Sequence, residues 1–210
     1  MSQLIIGDKI AQDEWTRVLP PVYGDEPVRK QAGKVVMFKL HGEDTFTQKQ
    51  IDGTEIPASG KILLPLPIWL ANKEALASRM AAGEIGIVLQ THEPIEALTE
   101  AFDDLNSLPV IAVYVQIFAD GRNFTLGNLL RTRYGFKNEL RAVGDIMRDQ
   151  LFFLKRSGFS SYLIKEGRNA EEAIASLNDF AEPYQSATDD VPVWRRINRS
   201  QVLQVRRVSR

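Results

Sequence analysis

Residues 120–159 contain the side chains of this sequence that are best suited to binding an anion. Six arginines fall in this stretch, and five glycines place several of them near turns. A guanidinium group presents a planar fork of donors that fits carboxylate, sulfate and phosphate oxygens. The segment therefore predicts a site for a small oxyanion or an acidic partner, but it does not indicate a reaction.

The candidate anion- or partner-binding set adds polar neighbours to these arginines. Its members are Asp120, Arg122, Asn123, Arg131, Arg133, Tyr134, Arg141, Asp145 and Arg148. The sequence identifies no catalytic residue among them. We expect no metal site and no metal requirement for folding, because the chain lacks cysteine and its two histidines, His41 and His92, are far apart.

Five short apolar runs predict the strands that position these residues. They are Ile62–Leu64, Ile85–Leu89, Val110–Val115, Leu140–Val143 and Ser161–Ile164. A helical pattern follows each run. These patterns cover Ile68–Ala82, Pro94–Leu105, Phe124–Tyr134, Ile146–Ser157 and Ala170–Glu182. Asp145 and Asn169 are suitable N-caps, and Gly135 and Gly158 are suitable helix ends.

The alternation of strands and helices predicts an α/β fold. We expect a mostly parallel sheet of about five βα units covered by helices. An open three-layer sheet is the first interpretation, and a partial or irregular βα barrel is the alternative. Residues 1–60 are turn-rich and mixed, with strands indicated at Leu4–Ile6 and Val35–Phe38. The predicted organisation is residues 1–60, a βα-repeat core at 61–185, and a basic tail at 186–210.

The loops after the strands are the expected site, because α/β proteins bind ligands beyond the carboxyl ends of parallel strands. We expect Arg122 to bind an oxyanion there, although Asp120 and Arg122 can instead form only a turn with a salt bridge. Asp145 follows Gly144 at the start of a predicted helix. There it either belongs to an anion site or only caps the helix and pairs with Arg148. His92 is either an acid or base of the site or an ordinary surface histidine.

One set of residues has the spacing of a helix face. Arg148, Phe152 and Arg156 lie at i, i+4 and i+8, so they form either a docking stripe or a solvated face. The apolar positions nearby are predicted to be core. They are Leu126, Leu129, Leu130, Met147, Leu151 and Leu154.

Several runs carry a family resemblance. DGRNF, LLRTRYGF, ELRAVGDIMRDQLFFLKRSGF and NDFAEPYQ, within about Leu63 to Gln185, resemble a bacterial family of unknown function. Its members are usually encoded beside sulfite reductase and related sulfur-assimilation enzymes, and they often carry a cysteine where this chain has Ser157. The family supplies no established catalytic residues, so the resemblance implies a pathway and not a mechanism.

The composition excludes several classes of protein. Without cysteine there is no disulfide, no thiolate nucleophile and no iron–sulfur cluster on cysteine ligands, so electron transfer would need an organic cofactor of unknown identity. The usual glycine-rich nucleotide motifs are absent. No apolar run is long enough to span a bilayer and no secretory signal is recognisable, so the expected location is the cytoplasm.

Charge is distributed unevenly along the chain. The formal net charge is −1, yet residues 195–210 hold six arginines and no acid, which leaves −7 on the rest. The basic tail either docks on an acidic surface or is simply solvated. We expect deletion of the tail to leave the core nearly as stable and to weaken binding to any acidic partner. The acidic body makes nucleic-acid binding unlikely.

These observations favour an accessory protein of assimilatory sulfate or sulfite reduction that binds an oxyanion or an acidic reductase partner. The expected partner is sulfite reductase or a related sulfur-assimilation enzyme. The alternative is a small oxidoreductase that acts on a sulfur oxyanion or its nucleotide carrier. The sequence does not decide whether the protein is an enzyme.

Overall fold

The computed structural model describes residues 3–22, 45–180 and 187–188. The predicted strand Val35–Phe38 and the basic residues 195–210 lie outside the described residues. Among the described residues, no helix is both long and apolar enough to cross a lipid bilayer.

Eight strands form one mixed sheet. They are β1 (Gln3–Ile6), β2 (Lys9–Ala11), β3 (Trp15–Arg17), β4 (Lys61–Pro65), β5 (Ile85–Gln90), β6 (Val110–Val115), β7 (Glu139–Gly144) and β8 (Ser161–Ile164). Their order is β2-β1-β8-β7-β6-β5-β4-β3. Strands β3 to β8 pair in parallel, whereas β1 is antiparallel to both β8 and β2. The sheet is therefore mixed, because the N-terminal hairpin adds an antiparallel edge to the parallel strands.

The described helices are short. They are α1 (Gln48–Asp52), α2 (Leu66–Ala71), α3 (Ala77–Ala81), α4 (Ile95–Ala101), α5 (Arg122–Thr132), α6 (Leu151–Arg156) and α7 (Ala170–Ala175). Three 3-10 turns, at Leu105–Ser107, Arg148–Gln150 and Ser176–Asn178, accompany α4, α6 and α7. The strands of the βα units and the cap at Asn169, which accepts from the Glu171 amide, confirm the predictions.

Four of the five predicted helices are too long. The expected helix Pro94–Leu105 is α-helical only over Ile95–Ala101, and the described part of the expected helix Ala170–Glu182 only over Ala170–Ala175. The expected helix Ile68–Ala82 is split into α2 and α3, because α2 ends at Asn72, whose side chain donates to the Ile68 carbonyl. The expected helix Ile146–Ser157 begins as a 3-10 turn and becomes α-helical only at Leu151.

The described helices cover one face of the sheet. Their apolar residues pack with alternate strand residues, such as Ile87, Ile111 and Tyr162, in one large core. On the opposite face, the described residues form a smaller core of strand side chains, including Val88 and Val110. Each fully buried aliphatic side chain contributes roughly 1.5–3 kcal/mol. The open three-layer sheet is therefore wrong, and the molecule is a curled half-barrel with this second face as its interior.

The curl brings the two sheet edges together. Strands β2 and β3 are the edge strands, yet only residues 12–14 connect them. Four chain steps span at most roughly 14 Å, so the edges must approach each other across the interior. Gly86 of β5 permits this curvature, since a Cβ there would collide with the interior side chains of Leu63 and Val110.

Candidate functional site

The carboxyl ends of the parallel strands carry an acid–arginine pair. The guanidinium of Arg122 donates from Nε and Nη2 to the two carboxylate oxygens of Asp120, at 2.9 and 2.8 Å. Thr91, which follows β5, donates from its hydroxyl to the same carboxylate at 2.5 Å. Burial raises the pKa of Asp120, but the hydrogen bonds from Arg122 and Thr91 outweigh it and lower the pKa to about 2. Asp120 is therefore an ionised anchor that already occupies two donors of Arg122.

The loop between β6 and α5 is also attached on its other side. Asp145, which follows β7, accepts a hydrogen bond from the Phe118 amide at 3.1 Å. It also forms an ion pair with Lys165, at 2.6 Å. Gln150 donates to the Phe118 carbonyl at 2.9 Å. The predicted roles of Asp145, as a helix cap and as the partner of Arg148, are therefore wrong. The helix begins as a 3-10 turn at Arg148, too far along the chain for Asp145 to cap it. The Asp145 carboxylate instead holds neighbouring loops together.

Asn123 lies in the first turn of α5 and is fully buried. Its side-chain oxygen accepts from the Phe124 amide at 2.9 Å. Its amide nitrogen has no hydrogen-bond partner among the described residues. A buried polar nitrogen without a partner is costly, so this position holds a donor that folding alone does not satisfy.

Glu93 is a carboxyl at this edge that lies outside the predicted set. Its side chain accepts a hydrogen bond from the Gln90 amide at 2.7 Å. Burial raises the pKa of Glu93 to about 7, against the smaller lowering effect of that hydrogen bond. A carboxyl with this pKa exchanges protons near neutral pH, as general acids and bases do. The only sequence signal was its place after a predicted strand. His92, beside it, is partly buried.

Arg131, Arg133 and Tyr134 lie at the other end of α5, away from Arg122. Arg131 donates to three backbone carbonyls, those of Gly158, Phe136 and Asn138, at 2.7–2.8 Å. It therefore stabilises the loop between α5 and β7. Arg133 is exposed and lies over the ring of Tyr134 at 5.5 Å from its centroid, and the Tyr134 hydroxyl donates to Glu96.

Arg141 lies in the interior of the half-barrel and is 1% exposed. It forms ion pairs with Asp13 at 2.7 Å and with Glu139 at 2.8 Å. Ser161, its register neighbour on β8, donates to the same Glu139 carboxylate at 2.6 Å. Asp13 comes from the link between β2 and β3, so this cluster joins the sheet edges to the middle of the sheet. Arg141 is thus a structural residue and not an accessible anion ligand.

A second interior arginine, Arg17 on β3, was not predicted as a site residue. Its guanidinium carbon is 5.2 Å from the centroid of the Tyr114 ring on β6. Within the described ranges, Arg17 makes no ion pair and no hydrogen bond through its side chain. No sequence pattern indicated this residue, because β3 is only three residues long and its neighbours in the sheet are distant in sequence.

The helix layer carries an aromatic patch, which we define as Phe124, Phe152, Phe153 and Phe180. Phe152 packs edge-on against Phe153 at 5.4 Å and Phe180 at 5.0 Å, and Phe124 meets Phe153 at 6.5 Å. Phe153 is 51% exposed and Phe180 is 58% exposed. Exposed aromatic clusters of this kind are typical of interaction surfaces.

Basic residues border the aromatic patch. Arg148 and Lys155 are exposed, and the guanidinium of Arg156 lies 5.6 Å from the Phe152 ring centroid. The predicted stripe of Arg148, Phe152 and Arg156 on one helix is nevertheless wrong in detail. Arg148 lies in the preceding 3-10 turn and Phe152 is buried, so Phe153 presents the exposed ring instead.

The predicted set therefore does not form one site. Asp120, Arg122, Asn123 and Asp145 gather at the carboxyl ends of the strands, whereas Arg141 is interior and Arg131 is far along α5. No group of three or more potential metal-ligating acids and histidines occurs in the described residues.

The family model described as "Bacterial protein of unknown function (DUF934)" matches residues 86–194, just over half of the 210 residues. This range contains β5 except for its first residue, and β6 to β8 with their helices, and therefore both the acid–arginine pair and the aromatic patch. No curated protein is significantly similar to the chain.

Proposed function

The chain belongs to the bacterial family of unknown function DUF934, and from this premise we propose that it is an accessory protein of assimilatory sulfate or sulfite reduction. In this role it docks on an acidic surface of a reductase. The pathway is taken from the resemblance to a family encoded beside sulfite reductase. The single observation that supports docking is the aromatic patch with its basic border.

The patch suits an acidic partner for two reasons. Exposed rings such as Phe153 and Phe180 lose unfavourable contact with water when a partner covers them. Arg148 has no ion-pair partner among the described residues, and Lys155 donates only to the neutral side chain of Asn178. Both cations are therefore available to partner carboxylates, although the exposed acids Asp149 and Asp179 are close in sequence and reduce the local charge.

Direct oxyanion binding by Arg122 receives less support from the geometry. Its guanidinium is held by Asp120 in a bidentate pair, and the added carboxylate repels an incoming anion. The alternative of a small oxidoreductase acting on a sulfur oxyanion has one observation in its favour. Glu93, with a pKa of about 7, provides a proton-transfer group at the edge where α/β ligands bind.

The docking role is tested by calorimetric titration of the full-length protein into purified sulfite reductase. Phe153→Ser is expected to weaken the complex at least tenfold, because exposed aromatic anchors commonly contribute over about 1.4 kcal/mol. Leu70→Ser is the matched control, since Leu70 is 47% exposed on α2 and lies outside the patch. It is expected to bind like the wild type.

Charge complementarity is tested separately with Lys155→Glu. This variant is expected to weaken binding strongly at low salt and less at high salt, because exposed charges are screened over about 8–10 Å. Absence of wild-type binding to the reductase, or equal losses for Phe153→Ser and Leu70→Ser, would contradict the proposal. Turnover of sulfite by the isolated, coloured protein would instead favour the oxidoreductase.

A further inference from the structure

Among the described residues, several hydrogen-bond donors at one end of the half-barrel interior have no acceptor. Strand alternation places Arg17, Gln90 and Tyr114 on the interior face, together with the buried Val88 and Leu63. Gln90 and Tyr114 are register neighbours at the carboxyl ends of β5 and β6. Their Cα atoms are therefore about 4.8 Å apart, and their side chains project side by side.

Arg17 reaches this pair from the edge strand. On the backbone it lies beside Leu63, nearer the amino end of the sheet, but its guanidinium lies on the Tyr114 ring, 5.2 Å from the centroid. A cation–π contact holds a guanidinium over an aromatic ring without using its N–H groups as hydrogen-bond donors. The arginine is thus pre-positioned by a contact that satisfies none of its hydrogen-bond donors.

The other two side chains are in the same situation. In the part of the chain that the structure describes, the Tyr114 hydroxyl and the Gln90 side-chain amide make no hydrogen bond. All three residues are partly exposed, so a small ligand can reach them. A guanidinium, a phenol and an amide together provide a positive charge and several donors, which is the requirement for an oxygen-rich anion.

The surroundings limit the size of such a ligand. The interior side chains beneath the donors, including Val88, Ala112 and Val143, are at most 5% exposed and leave the anion no deeper pocket. The opposite, amino-terminal part of the interior is closed by Arg141 with its own carboxylates. An anion is therefore confined to the carboxyl end of the strands, where α/β barrels and sheets bind ligands.

We propose that Arg17, Tyr114 and Gln90 form a binding site for a small oxyanion, of the sulfate, phosphate or carboxylate type, at the carboxyl end of the half-barrel interior. This site is on the face opposite the aromatic patch and does not depend on the docking role. It also differs from the predicted oxyanion site, because Arg122 is already bound by Asp120.

The site is tested by calorimetric titration of the full-length protein with sodium sulfate, sodium phosphate and sodium acetate. Sodium chloride holds the ionic strength constant, so that general screening does not imitate binding. We expect saturable binding of at least one of the three anions. The order of their affinities distinguishes a tetrahedral oxyanion from a carboxylate as the preferred class.

Arg17→Gln is expected to weaken this binding at least tenfold, because it removes the charge. Tyr114→Phe keeps the ring under the guanidinium and removes only the hydroxyl, so a smaller loss of twofold to fivefold is expected. Arg133→Gln is the matched control, since Arg133 also lies over a tyrosine ring but belongs to the helix layer. It is expected to bind the anion like the wild type.

Several outcomes would overturn the proposal. They are the absence of saturable binding for all three anions, unchanged binding in folded Arg17→Gln, and loss of binding in Arg122→Gln with retention in Arg17→Gln. If Arg17→Gln does not fold, unchanged affinity in Tyr114→Phe for every anion would also reject the site. Loss of reductase docking in Phe153→Ser leaves this test unaffected, so the two proposals fail independently.

Discussion

Two arginines share the interior of the half-barrel but have opposite environments. Arg141 is buried and paired with two carboxylates, and a serine completes its network. Arg17 is partly exposed, lies over the Tyr114 ring, and has no acid within ion-pair distance among the described residues. Arg141 thus completes a closed structural cluster, whereas the donors of Arg17 are available to a ligand. The presence of counter-charges, more than the residue type, separates structural from functional arginines here.

Replacement of Arg141 gives the largest expected effect. Arg141→Met leaves Asp13 and Glu139 with uncompensated charge and is expected to lower the free energy of unfolding by roughly 3–5 kcal/mol. Arg17→Met is expected to cost less than about 1 kcal/mol, because no buried partner is left behind. Urea denaturation followed by tryptophan fluorescence measures both. Similar losses in the two variants would remove the distinction between the arginines.

A rescue variant sharpens this result. Adding Asp13→Asn and Glu139→Gln to Arg141→Met removes the stranded charges, so part of the lost stability is expected to return. If the triple variant is less stable than Arg141→Met alone, the arginine contributes through packing and not through charge pairing.

The same contrast applies to carboxylates, since Glu93 has no cationic partner among the residues that the structure describes. Its pKa is raised from 4.5 to about 7, so the folded state retains a proton that the unfolded state has released between these values. Stability is therefore expected to fall as pH rises through this window and to stay lower above it. Glu93→Gln is expected to remove this fall and to stabilise the protein by up to about 3 kcal/mol at pH 8, since a difference of one in pKa corresponds to about 1.4 kcal/mol.

The measurement for Glu93 is a series of urea denaturation curves at pH 5, 6, 7 and 8. Glu100→Gln is the control, because Glu100 is an exposed acid on α4, the helix that follows Glu93. If the free energy of unfolding depends on pH in the same way in Glu93→Gln and in the wild type, the Glu93 carboxyl is already ionised at neutral pH in the folded protein.

Asp120 is the carboxylate with partners, and the opposite sign is expected. Its pKa is lowered from 3.8 to about 2, so its contribution is present above 3.8 and is lost as pH falls through 2. Asp120→Asn is expected to cost about 1 kcal/mol at pH 7, since solvent screens this partly exposed pair, and less at pH 3. Urea denaturation at both pH values tests this, with the exposed Asp149→Asn as control. An equal cost at both would show that lost hydrogen bonds, and not charge, account for it.

The sequence was sufficient to locate the βα units. Runs such as Val110–Val115 are continuous and apolar, because both faces of the central strands are buried. Helix lengths were overestimated where a local polar contact ends the helix, as at Asn72. The choice between a three-layer sheet and a half-barrel depended on which strands are neighbours, and the apolar pattern does not specify that.

The candidate site was less predictable for the same reason. The position of Asp120 after a strand was informative, because chain order decides which loops meet at a sheet edge. The partners of Asp145 are 20 and 27 residues away in sequence, and no local motif indicates them. Arg17 depends on Tyr114, almost one hundred residues later, so its role became visible only from the pairing of strands.

The antiparallel pairing of β1 with β8 has a consequence for synthesis in the cell. Gln3 pairs with Ile164, so one edge of β1 can pair with β2 at once, whereas its other edge stays unpaired until residues 161–164 have emerged from the ribosome. At about 5–20 residues per second, β1 waits for roughly 8–30 s with its hydrogen-bonding edge open. Asp13 waits similarly for Arg141. Such distant contacts slow folding, and the open edge of the nascent N-terminal hairpin is meanwhile exposed to chaperones and to mispairing with other chains.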